Sequence, residues 1–167
     1  MIAQALMAGN IDVAAMTYAL SEAPLKAGFR ALVDGVDLKA PYQGPSMCGL
    51  KEVLTGRQEF FMRFTRGLAE ATAYILDANN KADVVKSLMK NLRLQKPEDG
   101  DASYKTLRLM STLDLAPNLA AFRIVQRIVG RLNPKINQLD LEQIVDTSYV
   151  RALEAKGFLP ELRKKLR

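Results

Sequence analysis

Apolar positions near the start of the chain follow two different patterns. In residues 2–8 they recur at helical spacing, and Gly9 then supplies a left-handed stop. Two short, nearly continuous apolar runs follow, at residues 11–16 and 29–34, and runs of this kind are typical of strands buried on both faces of a parallel sheet. Residues 18–27 between them have the pattern of a crossover helix. The pattern therefore predicts a parallel βαβ unit.

The remainder of the chain has the three-and-four spacing of amphipathic helices. The longest is predicted over residues 57–78, and its predicted buried stripe consists of Phe60, Phe61, Phe64, Leu68, Ala71, Tyr74 and Ile75. Asn118 and Asp140 are placed to cap later helices, and Gly157 is placed to end one. The predicted fold class is therefore α/β and mostly helical, with a small βαβ core and a helical carboxyl-terminal half.

Length and composition favour a single folded domain. The chain has 167 residues, of which 49% are hydrophobic, and this is enough to form a core. No apolar run approaches the roughly 18 to 20 residues that a membrane span requires. Because the residues after Met1 lack a basic leader and a small-residue cleavage site, we do not expect a signal peptide in this chain.

The supply of reactive side chains is small. The chain has one cysteine, Cys48, and no histidine, so an intrachain disulfide, a Cys/His zinc site and a histidine general base are all excluded. We interpret Cys48 as a small apolar residue and Asp12 as a carboxylate bonded to local backbone. No phosphate loop or nucleophile motif occurs. The sequence therefore predicts that the protein is not an enzyme and needs no cofactor or metal.

Charge suggests one alternative function. The formal net charge is +6, and most of the surplus lies in residues 101–167. Arg123, Arg127 and Arg131 recur every fourth residue, and residues 163–167 form a basic tail, so a basic helical scaffold or nucleic-acid-binding module is one interpretation. No aromatic residues interleave with these charges, which favours a solvated helix face and leads us to expect no nucleic-acid partner.

Several motifs, taken in order, resemble one protein family. The first group is Ala5-Leu6-x-x-Gly9-x-Ile11-Asp12-Val13-Ala14, with Gly28-Phe29-Arg30 and Leu32-Val33-Asp34. The second is Tyr42-x-Gly44 and the long helix, and the third is Ile144-Val145-Asp146-x-Ser148-Tyr149-Val150-x-x-Leu153-x-x-x-Gly157-Phe158. Together they resemble bacterial ABC-transporter solute-binding proteins of the nitrate, taurine, sulfonate and thiamine-precursor type. The resemblance spans nearly the whole chain.

The resemblance implies a partial type II periplasmic-binding-protein fold. Residues 1–40 would be the βαβ end of the second lobe, 41–49 the hinge or crossing segment, and 50–167 the helical part of the returning first lobe. The chain would then be a carboxyl-terminal portion of such a protein, without the export signal and first βα units of the family. We also expect self-association through the apolar face that the missing strands would leave exposed.

The family is periplasmic or anchored at the membrane surface, and its members capture a small solute between their lobes and deliver it to a membrane permease. Carried over by position, the ligand-binding residues would be Met16, Thr17, Tyr18, Tyr42, Gln43 and Gly44. Since half a cleft loses much of its burial, we expect this chain alone to bind small anions or amines weakly or not at all. A pyrimidine-precursor synthase of the same fold is disfavoured because the chain has no histidine.

Overall fold

The computed structural model describes residues 2–35, 37–39, 41, 43–44 and 46–166. These residues form α-helices, two 3-10 helices and connecting segments, and none of them belongs to a β-strand. In chain order the α-helices are α1 (Ile2–Met7), α2 (Tyr18–Lys26), α3 (Lys51–Gly56), α4 (Gln58–Leu76), α5 (Lys81–Leu92), α6 (Pro97–Met110), α7 (Leu119–Val129), α8 (Leu141–Ile144), α9 (Ser148–Ala155) and α10 (Phe158–Lys165). The 3-10 helices are Ala78–Asn80 and Pro134–Gln138.

The predicted α/β fold is wrong. Residues 11–16 and 29–34 have no regular secondary structure, and in the described part of the chain they form no ladder with each other or with any other segment. The helical neighbours α1 and α2 were predicted within a residue or so of their observed bounds. An apolar run between turn residues fits a surface connection as well as a strand, because only a neighbouring strand can distinguish the two. The βαβ core implied by the family resemblance is therefore absent from the described residues.

The chain divides into two compact units. The first consists of Met1–Lys39 and Val85–Leu109. Within it α1 contacts α2, and Leu6 and Pro24 are buried. Gly100 in α6 lies against α5, because a Cβ at Gly100 would stand only 2.8 Å from the Cγ of Met89. Glycine at that position therefore permits the close packing of α6 on α5.

The second unit consists of Ala40–Val84 and Met110–Arg167 and contains the best-defined core. Helix α4 packs against α9 and α10, which also contact each other. Ala69, Leu153 and Leu159 form the buried cluster, with Leu159 fully buried. Partly buried side chains surround it, namely Met62, Leu115, Val150, Phe158 and Leu162. This unit therefore has the self-contained apolar interior expected of a folded domain.

Helix α4 buries a different face from the one predicted. Phe61 is buried as expected, but the rest of the buried stripe consists of small side chains, namely Thr65, Ala69 and Thr72. Phe60, Phe64, Leu68 and Tyr74, predicted to be buried, are exposed. Small side chains let α9 and α10 approach closely, and each threonine hydroxyl donates a 2.8 Å hydrogen bond to the backbone carbonyl one turn earlier.

Helix boundaries in this unit follow local signals that the sequence shows. The Asn118 side chain accepts a hydrogen bond from the Ala121 N–H (3.0 Å) and caps α7, as predicted. Asp140 caps α8 in the same way through the Glu142 N–H. Gly157 ends α9 and begins α10 with φ +76°, a left-handed conformation that favours glycine. These three predictions are confirmed.

Candidate functional site

Met16, Thr17 and Tyr18 lie in the first unit, where the chain enters α2. Thr17 is the N-cap residue with extended backbone, but its hydroxyl makes no capping hydrogen bond. Tyr18 is the first residue of α2, and its side chain is exposed. Met16 is half-buried and Thr17 is exposed. The three residues thus form a short, accessible surface at the amino-terminal end of the helix.

Tyr18 is held by a carboxylate that the sequence analysis did not include in the site. Its hydroxyl donates a hydrogen bond of 2.5 Å to Oδ1 of Asp34. This bond, with some desolvation and the charges of Asp34 and Asp37, raises the pKa of Tyr18 to about 12. The phenol therefore stays protonated over the physiological range and acts as a hydrogen-bond donor. The available signal was the position of Asp34 at the end of an apolar run, just before Gly35.

Gln43 and Gly44 lie in the second unit and already have partners there. Oε1 of Gln43 accepts a hydrogen bond of 2.6 Å from the backbone N–H of Asn118, so this side chain secures the start of α7. The carbonyl oxygen of Gly44 accepts a hydrogen bond from the Ser46 hydroxyl (3.3 Å). The remaining donor capacity of the Gln43 amide is its NH₂ group. Tyr42 lies outside the described residues.

The structure thus brings together Tyr18 with Asp34 and Gln43 with Asn118, each pair within its own unit. Among the described residues, no three or more Asp, Glu or Cys side chains are gathered in a way that could hold a metal ion. Cys48 is exposed, and its Sγ lies 3.9 Å from the Ser46 carbonyl oxygen. Cys48 was predicted to act as a small apolar residue, and it lies at the surface and not in a core.

Several of the basic side chains in the second unit are paired with carboxylates. Arg123 contacts Glu142 at 3.1 Å, and Arg163 contacts Glu154 at 2.7 Å. Lys164 contacts Glu161 at 2.6 Å. Exposed pairs of this kind contribute little stability, but they reduce the positive charge presented to a nucleic-acid backbone. The basic line along α7 is therefore weaker at Arg123 than the sequence spacing suggested.

Comparisons with known proteins gave no relative. No family model matches the chain, and no curated protein or solved structure matches it at a significant level. Of the helices in the described part of the chain, none combines the length and apolar character needed to cross a bilayer. Inferences about function therefore depend on the residues of the chain itself and on the contacts they make.

Proposed function

We propose that this chain is the carboxyl-terminal portion of a solute-binding subunit of an ABC importer, in the class that handles nitrate, sulfonates, taurine and thiamine precursors. In such a subunit the protein captures a small solute and passes it to a membrane permease without changing it chemically. The proposal relies on the ordered motifs and on the helical second unit. It makes no use of a βαβ core.

The observation that carries the proposal is the carboxyl-terminal motif, because its residues form one structural joint. Oδ1 of Asp146 accepts a hydrogen bond of 2.8 Å from the Ser148 N–H where α9 begins. The Tyr149 hydroxyl donates to the carbonyl oxygen of Leu54 (3.0 Å) and ties α9 to α3. Gly157 makes the left-handed turn into α10. Residues of the motif that carries the resemblance thus cap α9, tie it to α3 and form the turn into α10.

Negative charge near Tyr18 favours the amine-bearing solutes of this class. The Asp34 carboxylate lies in contact with the Tyr18 hydroxyl and places negative charge at this surface. A negative charge repels nitrate and attracts an ammonium group. If the proposed residues Met16, Thr17 and Tyr18 contact the solute, we expect an amine-bearing solute such as taurine to bind better than nitrate.

Nuclear magnetic resonance titration tests this proposal, since it detects weak binding residue by residue. Taurine and nitrate are added separately to the isotope-labelled chain, and amide shifts are followed. We expect millimolar taurine to shift the amides of Met16, Thr17 and Tyr18, and nitrate to shift them less. Tyr18→Phe should reduce the taurine effect, because it removes the donor that orients Asp34.

The chain offers a matched control. The Tyr74 hydroxyl donates to Oδ2 of Asp83 (2.7 Å), which is a second exposed phenol–carboxylate pair. Tyr74→Phe should leave the taurine shifts unchanged. Nitrate shifts as large as those of taurine, localised shifts outside Met16, Thr17 and Tyr18, or an equal effect of the two tyrosine variants would contradict the proposal.

A further inference from the structure

Helix α4 exposes an apolar surface beside the stripe that it buries. The buried stripe packs toward α9 and α10, because Ala69 lies in one cluster with Leu153 and Leu159. With about 3.6 residues per turn, a second group of side chains lies next to that stripe on the helix surface. All of its members are exposed, namely Phe60, Phe64, Leu68, Ala71 and Tyr74. This group is called here the α4 outer face.

Two phenyl rings dominate the α4 outer face. The centroids of Phe60 and Phe64 are 6.4 Å apart and the rings are stacked, although Phe60 is 58% exposed and Phe64 is 44% exposed. The described residues leave both rings in contact with solvent. Exposed aromatic side chains gathered on one face are typical of a surface that binds another protein.

Charged side chains line one edge of this face. On the helix surface Arg63 and Glu70 lie about 20° and 40° beyond Tyr74, on the edge away from the buried stripe. Each has an ion pair within α4, Arg63 with Glu59 (2.5 Å) and Glu70 with Arg66 (3.2 Å). All four charged side chains are more than half exposed. The opposite edge is the buried stripe itself, so only one edge of the α4 outer face is charged.

These charges select an orientation and a register for a second copy of α4. In an antiparallel pair of identical helices the same edges meet, whereas in a parallel pair opposite edges meet, so only the antiparallel pair brings the charged edges together. A two-fold axis between Arg66 and Gly67 places Arg63 of each copy opposite Glu70 of the other. An axis two residues nearer the amino terminus would place like charges opposite each other, Glu59 with Glu70 and Arg63 with Arg66.

The apolar side chains favour the same register independently. The α4 outer face extends from Phe60 to Tyr74, so its midpoint is Gly67, within one residue of the axis that the charges select. About that axis Phe64 of one copy lies beside Leu68 of the other, and Phe60 lies beside Tyr74. The position of the apolar side chains and the position of the charges therefore describe one self-complementary surface.

We propose that two copies of this chain form an antiparallel dimer through the α4 outer face, with Phe60 and Phe64 buried at the interface and Arg63 paired with Glu70 across it. This assembly goes beyond solute binding and does not depend on it. An anionic bilayer would meet the carboxylates of Glu59 and Glu70 at the edge of this face, whereas a second copy places an arginine against Glu70.

Sedimentation velocity of the full chain over a series of concentrations tests the proposal. We expect a monomer that converts to a dimer as the concentration rises. Phe60→Ser with Phe64→Ser should raise the dissociation constant of the dimer by roughly tenfold or more, because aromatic side chains at the centre of an interface contribute most of its affinity. Circular dichroism checks that this variant is folded, and the charge variants below leave the apolar face unchanged.

Reversal of single charges gives the sharper measurement. Arg63→Glu and Glu70→Arg should each weaken the dimer by roughly tenfold, because each places like charges opposite each other twice. An equimolar mixture of the two variants should form a heterodimer at least roughly tenfold tighter than either variant forms with itself, since every facing pair is then of opposite sign. A merely structural effect of either substitution would not be rescued by mixing.

The chain offers matched controls for both kinds of variant. Lys26→Glu reverses a charge in the exposed pair of Lys26 with Glu22 (2.8 Å) on α2. Ile128→Ser replaces an apolar side chain on α7 that is 58% exposed, as Phe60 is. Neither control should change the dissociation constant more than about twofold.

Three results would overturn the proposal. The first is an unmodified chain that stays monomeric throughout the series, including one that floats with lipid vesicles instead. The second is a dimer that Ile128→Ser weakens as much as the Phe60 and Phe64 variant does, which would place the interface elsewhere. The third is a mixture of Arg63→Glu and Glu70→Arg that associates no better than each variant alone.

Discussion

Two regions of the molecule differ sharply in burial, and the region that is richer in apolar residues is the more exposed one. In the cluster of α4, α9 and α10, Ala69 and Leu159 are fully buried. In residues 11–16 and 29–34, which belong to no helix or strand, Val13, Leu32 and Val33 are each about two-thirds exposed. A helix satisfies its own backbone hydrogen bonds and can pack wherever its side chains fit, whereas an extended segment needs a neighbouring strand. Apolar character alone therefore does not place a segment in the core.

The largest expected effect is at the centre of the α4, α9 and α10 cluster. Leu159→Ala should lower the free energy of unfolding by about 2 to 5 kcal/mol, because it removes buried methyl groups and leaves a cavity. Leu32→Ala makes the same change in an exposed side chain and should alter stability by less than about 0.5 kcal/mol. Urea denaturation followed by circular dichroism measures both. Equal losses of the free energy of unfolding in the two variants would contradict the difference in burial between Leu159 and Leu32.

An intermediate effect is expected at the joint between α9 and α10. Gly157→Ala places a Cβ on a residue with φ +76°, and should cost about 1 to 2 kcal/mol even though there is open space around it. Gly67→Ala, within α4 and also in open space, should instead stabilise the protein by up to about 1 kcal/mol. Thermal unfolding of the two variants checks the difference in sign. If both variants were less stable than the unmodified protein, the loss of stability at Gly157 could not be attributed to its backbone conformation.

The smallest effect on stability is expected at Tyr18, in the more exposed region. Because the pKa of Tyr18 is raised to about 12 in the folded protein, the neutral phenol is favoured by folding. This contribution is fully present below about pH 10, the ordinary tyrosine value, and is lost as the pH rises through about 12. Ultraviolet titration of tyrosinate, compared with Tyr18→Phe, isolates this group. Asp34→Asn should lower the pKa of Tyr18. An unchanged tyrosinate titration in that variant would refute the hydrogen bond from Tyr18 to Asp34.

Local features of the fold could be predicted from sequence, and long-range features could not. The caps at Asn118 and Asp140 and the turn at Gly157 depend on residues within a few positions, so their chemistry is visible in the chain. The buried face of α4 depends on what α9 and α10 bring to it, and the large rings of Phe60 and Phe64 misled the prediction because size usually indicates burial.

In the candidate site, too, the long-range contacts could not be predicted from sequence. Tyr18 was predicted from a resemblance, and whether it contacts a solute stays a prediction. Its bond to Asp34 joins residues that are distant in sequence, and no spacing rule connects them. Gln43 was predicted as a ligand residue, but its Oε1 supports the start of α7. A side chain that is suited to hydrogen bonding can serve the fold as readily as a ligand, and only coordinates distinguish the two uses.

The core cluster also has a consequence for biosynthesis. Ala69 is made early, while its partners Leu153 and Leu159 are made much later, so the small face of α4 has no partner while the chain is still growing on the ribosome. Domains assemble only as their parts emerge, and contacts between distant residues slow folding. Maturation of the second unit must therefore wait for α10, and a nascent polypeptide stalled before that helix would present an unfinished interior to chaperones.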